Sequence, residues 1–357
     1  MKQVLMVTGA LFFLNALQAQ NPRLAMYEAS PLVVNPAYAG KFDAKFRAGT
    51  HVSMMSWDSA KMMHNNVFLD FRSKYDKNDP PRSYWGVGLN FYRYGHATSA
   101  ITAMFPSLSI AYHTAMDKRS RHTVDVGFQA AFASGTYKRL GTEAEPKTFN
   151  YKPEISGGGF TYRAADNLDT PSTALSYTDF SIGLNYNYKT TRFRFESGLA
   201  MYHLLYPEND LLQSDPDKPR LRHRGVFTMS FGFDLDQSRT IYVKSMYWAD
   251  GLFWLSSSNK DRGTDEYKVS AWAGVELHKN ANKDYKKFKV NYGLHTRSFR
   301  TIMPLVSVLY NDKLNLRATY EYPMNSKNFV AYRAKRMEVA LIYLLTPKGK
   351  VVPYTED

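Results

Sequence analysis

The stretch "TVDVGFQAAF", Thr123–Phe132, decides the fold. Val124, Val126, Phe128, Ala130 and Phe132 fall on one face, and Thr123, Asp125, Gly127 and Gln129 on the other. A period of two is the period of a β-strand, because successive side chains point to opposite sides. One such stretch describes a half-buried soluble strand equally well. The pattern repeats, however. In "FSIGLNYNY", Phe180, Ile182, Leu184, Tyr186 and Tyr188 oppose Ser181, Gly183, Asn185 and Asn187. In "LNLRATYEY", Leu314, Leu316, Ala318, Tyr320 and Tyr322 oppose Asn315, Arg317, Thr319 and Glu321. Near the end Met337, Val339, Leu341, Tyr343 and Leu345 align. About ten alternating residues, with Gly, Asn and charge on the minor face, form the pattern of a transmembrane strand.

The period-two test finds about 14 such strands. They lie near 42–54, 62–72, 84–92, 101–113, 123–136, 176–188, 192–203, 224–235, 239–249, 267–278, 287–297, 300–310, 313–322 and 335–345. The connections test the count independently. Counted from the first strand, the fifth (137–175), seventh (204–223), ninth (250–266) and thirteenth (323–334) are long. The first is short and the eleventh, "RSFR", is almost nothing, while even ones are mostly tight, as in "KTT" at 189–191, "DQS" at 236–238 and "ND" at 311–312. Short turns on one side and long loops on the other are the habit of outer-membrane barrels, where the short turns face the periplasm. The expectation is an all-β protein. It would be a single closed transmembrane antiparallel β-barrel over 42–345, with both termini periplasmic and a short tail at 346–357.

The front of the chain sets the compartment. Lys2 is followed by an apolar run from Val4 to Leu17 and by small Ala19, the layout of a signal peptide over 1–19. No later stretch reaches the roughly 18–20 continuous apolar residues of a spanning helix, so a membrane location requires a barrel. The chain has no cysteine, which removes disulfides and thiolate chemistry. Aromatic residues make up 15% of it, with 26 tyrosines, and such rings suit a polar–apolar boundary. A net charge of +14 suits anionic headgroups, acidic glycans or an acidic protein partner. Charge scattered over loops for solubility gives the same total. Export argues against nucleic acid as a partner.

Catalytic and cofactor patterns do not emerge. "GVGLNF", Gly86–Phe91, has two glycines inside an alternating strand and opens no helix, so it reads as lumen-facing glycine rather than a nucleotide turn. Nine histidines are dispersed without metal-ligand spacing, although His51 and His64 would approach across the first hairpin. The methionine-rich "MMSWDSAKMMH", Met54–His64, reads as a lipid-edge or partner contact ahead of copper binding. No nucleophile signature is present. The expectation is no enzyme, no cofactor and no small-molecule substrate. The informative polar residues are charges on the minor face: Arg194 with Glu196, and Arg317 with Glu321. A mid-membrane Arg or Lys facing lipid costs about 2–4 kcal/mol, so these should face the lumen and cross-link it.

After the leader comes "YEASPLVVNPAYAG", Tyr27–Gly40. It resembles the opening of the PorP/SprF family of Bacteroidetes, whose Asn-Pro-Ala-Tyr-Ala-Gly motif Asn35, Pro36, Ala37, Tyr38, Ala39 and Gly40 match in full. "YWGVGLNFYRYG", "FRFESGLAMYHLL" and "RMEVALIYLL" resemble later family strands, with Met337-Glu338 where a His-Glu pair is usual. The resemblance implies an outer-membrane barrel of a Gram-negative bacterium, tied to type IX secretion and gliding motility. Its partners would be outer-membrane lipid and either a secreted surface adhesin or type IX secretion components. It carries no enzymatic residues. The alternative of another class is a diffusion channel or solute transporter. A further alternative is a link to periplasmic machinery.

For the motif itself, Pro36 fixes φ and restricts Asn35 to extended backbone, while Gly40 can take a positive φ. The segment 20–41 then serves as a periplasmic lead-in. Leu32, Val33, Val34 and Tyr38 would grip the inner rim as a structural clasp, with direct partner contact as the other reading. Gly40→Val should lower the yield of folded barrel.

Overall fold

The computed structural model describes residues 24–57, 60–75, 82–96, 100–138, 149–156, 159–164, 174–207, 221, 223–236, 239–250, 268–279, 288–297, 299–324 and 335–345. The expected leader, the tail and most of the long connections lie outside them. Fourteen strands close into one antiparallel barrel. They are β1 (Phe46–Trp57), β2 (Ala60–Arg72), β3 (Ser83–His96), β4 (Ala100–Ala115), β5 (His122–Lys138), β8 (Ala174–Lys189) and β9 (Phe193–Tyr202). The circuit continues through β10 (Arg224–Asp234), β11 (Arg239–Asp250), β12 (Lys268–Lys279), β13 (Phe288–Arg297), β14 (Thr301–Tyr310), β15 (Leu314–Pro323) and β16 (Lys335–Leu345). The ring closes where β1 pairs with β16, Phe46 opposite Leu345 and Ser56 opposite Lys335. Closure removes the sheet edge and pairs the backbone within the wall.

The sequence reading and the structure agree on the count of fourteen. They differ within 137–175, read as one long loop. There β6 (Phe149–Ser156) and β7 (Gly159–Ala164) pair as a separate two-stranded sheet inserted between β5 and β8. The first strand also starts later than expected, at Phe46. Residues 42–45 belong to the segment that leads into it.

The alternation has a direction. Val67, Leu69, Leu89, Leu108, Phe128 and Leu184 are exposed on the outside, while Asp70, Asn90, Ser109, Gln129 and Asn185 are buried within. A wall with apolar side chains outward and amides and carboxylates inward suits hydrocarbon surroundings, the reverse of a soluble domain. At one end the outer surface carries aromatic pairs: Phe46–Phe71 at 6.2 Å, Trp85–Tyr112 at 4.9 Å, Phe193–Phe233 at 5.2 Å and Phe288–Tyr310 at 4.8 Å between ring centroids. This is the short-turn end, where 190–192 and 311–313 connect neighbouring strands. The connections 139–173, 203–223, 251–267 and 324–334 all leave from the opposite end. Among the described residues no helix is long and apolar enough to cross a membrane. Met54 and Met63 face each other across β1 and β2 and are exposed on the outer surface.

Candidate functional site: the lumen and the segment that fills it

The segment expected at the rim lies instead inside the barrel. Its sequence makes it a chain of short turns. Tyr27–Ala29 forms a 3-10 turn, Pro31–Val34 a single α-helical turn (α1), and Pro36–Tyr38 a second 3-10 turn. Each proline opens its turn, where a missing N–H costs nothing and the fixed φ helps. Asn35 stands before Pro36 in extended backbone, φ −156° and ψ 123°, and its side chain accepts from Ala37 N at 2.9 Å. Gly40 takes φ 74° and redirects the chain toward β1.

Such a segment carries backbone groups into a dry interior, and each needs a partner. Wall side chains supply them. The Glu338 carboxylate accepts from Ala25 N at 2.8 Å and Met26 N at 2.8 Å. Gln129 donates to Leu32 O at 2.9 Å, and the Tyr202 hydroxyl to Val33 O at 2.9 Å. Asn35 Nδ2 donates to the wall carbonyl of Leu184 at 3.0 Å. His113 Nε2 lies 2.7 Å from Ala39 O, with its Nδ1 on Asp125 at 2.8 Å. Asp70 accepts from Gly40 N at 2.9 Å, and Arg72 donates to Phe42 O at 2.7 Å. The partners come from strands on opposite sides of the barrel, so the segment ties the wall together across its diameter.

Close approach explains the glycines of the minor face. A Cβ at Gly127 would lie 2.6 Å from Ala37 Cα, and one at Gly86 would lie 2.9 Å from Gly40 Cα and overlap the Ala39 carbonyl. The glycines of "GVGLNF" and "TVDVGF" therefore mark where the Asn35–Gly40 backbone lies against the wall. Leu32 packs with Met26, Ala29 and Ala39 against Phe68, Leu305 and Ile342. Tyr27 and Val34 pack with Trp248, Trp272 and Met303. Tyr27 meets the Trp272 ring edge-on at 4.8 Å. Trp272 stands toward the long-loop end of β12, whereas Asp70 and Arg72 stand at the short-turn end of β2. The chain thus descends the lumen from its long-loop half and enters β1 at the short-turn end. A grip limited to the rim cannot provide backbone partners over such a length, which is why the lead-in expected there is found inside.

The four charges singled out from parity all face inward, but none pairs with its same-strand companion. Arg194 bonds Asp234 at 2.8 Å on the next strand. Glu196 meets Lys41 of the inner segment at 2.6 Å. Arg317 meets Glu28 at 3.2 Å and Glu276 at 3.7 Å. Glu321 lies 3.2 Å from Arg297 and 3.6 Å from Arg336. Tyr38 of the motif bonds Thr228 at 2.7 Å through its hydroxyl. His51 and His64 do not join each other. His51 bridges Ser30 and Glu338, while His64 bonds Tyr92. Parity reasoning missed Glu338, Asp70, His113, Gln129 and Lys244, which hold the segment directly, and Glu276, which pairs with Lys244 and Arg317 behind them. They carry the same inward parity, and nothing local distinguishes them from other minor-face polar residues.

Glu28 is the charged centre of the segment. Burial pushes its carboxyl up, but Lys244, at 2.8 Å, and Arg317 outweigh burial and hold it below the ordinary value of 4.5. A lowered folded-state pKa stabilises docking above the ordinary value, and that contribution is lost as pH falls through the lowered one. Acidification below the ordinary carboxylate range should therefore loosen the segment. The fluorescence of Trp272, edge-on to Tyr27, should then change in wild type and change less over the same range in Glu28→Gln, where this acid-sensitive anchor is already gone.

A closed wall, an apolar exterior and a lumen that holds an Asn-Pro-Ala-Tyr-Ala-Gly segment are now in view. Against known families, the type IX secretion system membrane protein PorP/SprF matches residues 16–343. The chain belongs to the PorP/SprF family. That covers nearly the whole barrel and the inner segment, so the two form one unit of the family fold. Solved structures similar in fold include the toluene transporter TbuX of Ralstonia pickettii, at 11% identity over 86% of this chain and 90% of that chain, TM-score 0.47. They also include the P. putida toluene transporter TodX, at 9% over 87% and 93%, TM-score 0.48. A third is the translocator domain of the autotransporter NalP from Neisseria meningitidis, at 10% over 90% and 96%, TM-score 0.43. At such identities and scores these likenesses say nothing of cargo. No curated protein matches. The PorP/SprF membership makes this a membrane protein of a secretion system.

Proposed function

We propose that this PorP/SprF barrel is a closed, non-conducting outer-membrane protein that binds, helps export or anchors a secreted surface protein, such as a large gliding adhesin. The observation that carries this reading is the lumen. Residues 24–44 run through it and are bonded to strands on opposite sides, which supports a wall that serves as a scaffold and not as a pore. Family membership adds the secretion context, and the outward apolar face adds the membrane. A signal peptide over about 1–19 would deliver the chain across the inner membrane. The long-loop end would face outward, because long connections there supply an adaptable recognition surface. In this reading Asn35–Gly40 is a structural clasp set inside the barrel. Its Ala39 carbonyl and Gly40 N–H are held by His113 and Asp70, and its Asn35 side chain by the Leu184 carbonyl, so they are not available to a partner.

Deleting most of 140–172 tests the outward face. The shortened barrel should still reach the membrane, since β5 and β8 pair without that insertion, but it should lose retention of the surface protein. Retention at wild-type level in a correctly inserted deletion would exclude this loop as the binding face.

A further inference from the structure

The outer wall is not evenly convex. A concavity of about 930 Å³ runs across it from β16 through β1–β5 to β8. Its depth comes from small outward side chains, Ala48, Thr50 and Ala130, set among the large exposed ones of Leu89, Phe91 and Tyr343. The hollow lies over a break in the sheet. The β4–β5 register places Met104 opposite Ser134 and resumes with Ser107 opposite Ala131. Between them is Pro106, which has no N–H to give a neighbouring strand.

One row above the hollow, toward the long-loop end, Arg93 points outward from β3. It is exposed and stands between Asn65 of β2 and Met104 of β4. Among the described residues no carboxylate pairs with its guanidinium. Trp85, on the same face of β3, belongs to the aromatic pairs of the short-turn end. From position 85 to position 93 a tilted strand climbs roughly 20 Å, which brings Arg93 to the far border of an apolar band about 25 Å tall.

We infer that the hollow binds a membrane lipid with an anionic head group, its phosphate on Arg93 and an acyl chain along the apolar floor below. A hollow lined in this way offers almost nothing to hydrogen-bond, so its occupant must be apolar along its length and carry an anion at one end. That is the chemistry of a lipid. A second copy of the chain fits worse. The carboxylates described on the barrel strands all face inward, so none reaches Arg93 from another wall. An outward arginine is costly near the membrane centre and tolerated near its border, where a phosphate can pair with it. Such a site needs only the membrane location and stands whether the lumen is open or closed.

Native mass spectrometry of the full-length barrel, released from delipidating detergent, provides the test. Phosphatidylglycerol is the probe, and a diacylglycerol with the same chains is its uncharged counterpart. Wild type should retain phosphatidylglycerol about tenfold more tightly than the diacylglycerol. Arg93→Gln should remove that preference. Thr50→Trp, which fills the hollow, should weaken retention of both lipids, while Val243→Trp, outward on β11 across the ring, should change neither. Heat-modifiable mobility on gels checks folding, and Ala130→Leu stands in for Thr50→Trp if that variant fails to fold. Equal retention of the two lipids by wild type, or retention unaffected by both Arg93→Gln and Thr50→Trp, would overturn the proposal. So would a wild-type dimer that Thr50→Trp converts to monomer, which would put a second copy in the hollow.

Discussion

Gly127→Val will expel the inner segment while leaving the wall assembled. Position 127 faces the lumen at the point where the Pro36–Ala37 backbone passes, and an added Cβ comes within 2.6 Å of Ala37 Cα. The obstacle is main chain on both sides, so no rotamer relieves it. Inserting bulk into a packed interior costs about 1–3 kcal/mol where side chains can yield, and more where they cannot. The β5 hydrogen bonds to β4 and β8 do not involve the side chain, so the ring should still close. The expected result is a heat-modifiable barrel in which protease cuts within 24–44, a stretch protected in wild type. Val126→Leu, one residue away on the outer face, should change neither property. A Gly127→Val barrel that protects the segment as wild type does would show that the segment is not seated where the structure places it.

Glu338→Ala should produce the second large effect. This carboxylate, 0% exposed, accepts from Ala25 N, Met26 N and the Ser53 hydroxyl, meets His51 at 3.1 Å, and lies 3.7 Å from the Arg336 guanidinium. Removing it leaves two backbone donors without an acceptor and takes from the buried Arg336 cation one of its two neighbouring carboxylates, Glu321 being the other. Breaking a buried pair by deleting one partner costs about 3–5 kcal/mol. Both the docking of residues 24–26 and the thermal stability of the detergent-solubilised barrel should fall. Met337→Ala, on the outward face of the same strand, should cost far less in detergent. Equal losses from the two substitutions would mean that Glu338 does no more than fill space.

The wall was legible because its information is local. Alternation in "TVDVGFQAAF" and "LNLRATYEY" specifies strands, and the outward face needs only to be apolar, so each strand can be read without its neighbours. Loop lengths add parity, which is also local. The lumen is different. Whether Glu338 holds Ala25 N, or His113 the Ala39 carbonyl, depends on residues separated by most of the chain, and one sequence carries no record of that pairing. The same limit explains Arg194 and Glu196. Shared parity put both inside, but register assigned them to Asp234 and Lys41. Pro36 and Gly40 correctly indicated an extended Asn35 and a positive φ, because those constraints are steric and local. Their location inside the barrel was encoded only indirectly, in glycines at 86 and 127 that leave room for a second backbone. The hairpin β6–β7 escaped although "FNYKPEIS" alternates, with Phe149, Tyr151 and Ile155 opposite Asn150, Lys152 and Glu154, because its strands are short and Pro153 counts against a central strand.

The central claim is that residues 24–44 close this PorP/SprF barrel, and ion conductance in planar bilayers tests it most directly. Purified full-length wild-type protein should insert without steady current. Deletion of 24–41 should give a barrel with stable, water-filled openings, because the remaining lumen wall is lined by polar and charged side chains. Steady openings from wild-type protein, at the size seen for the deletion, would contradict the account and return the molecule to the class of channels.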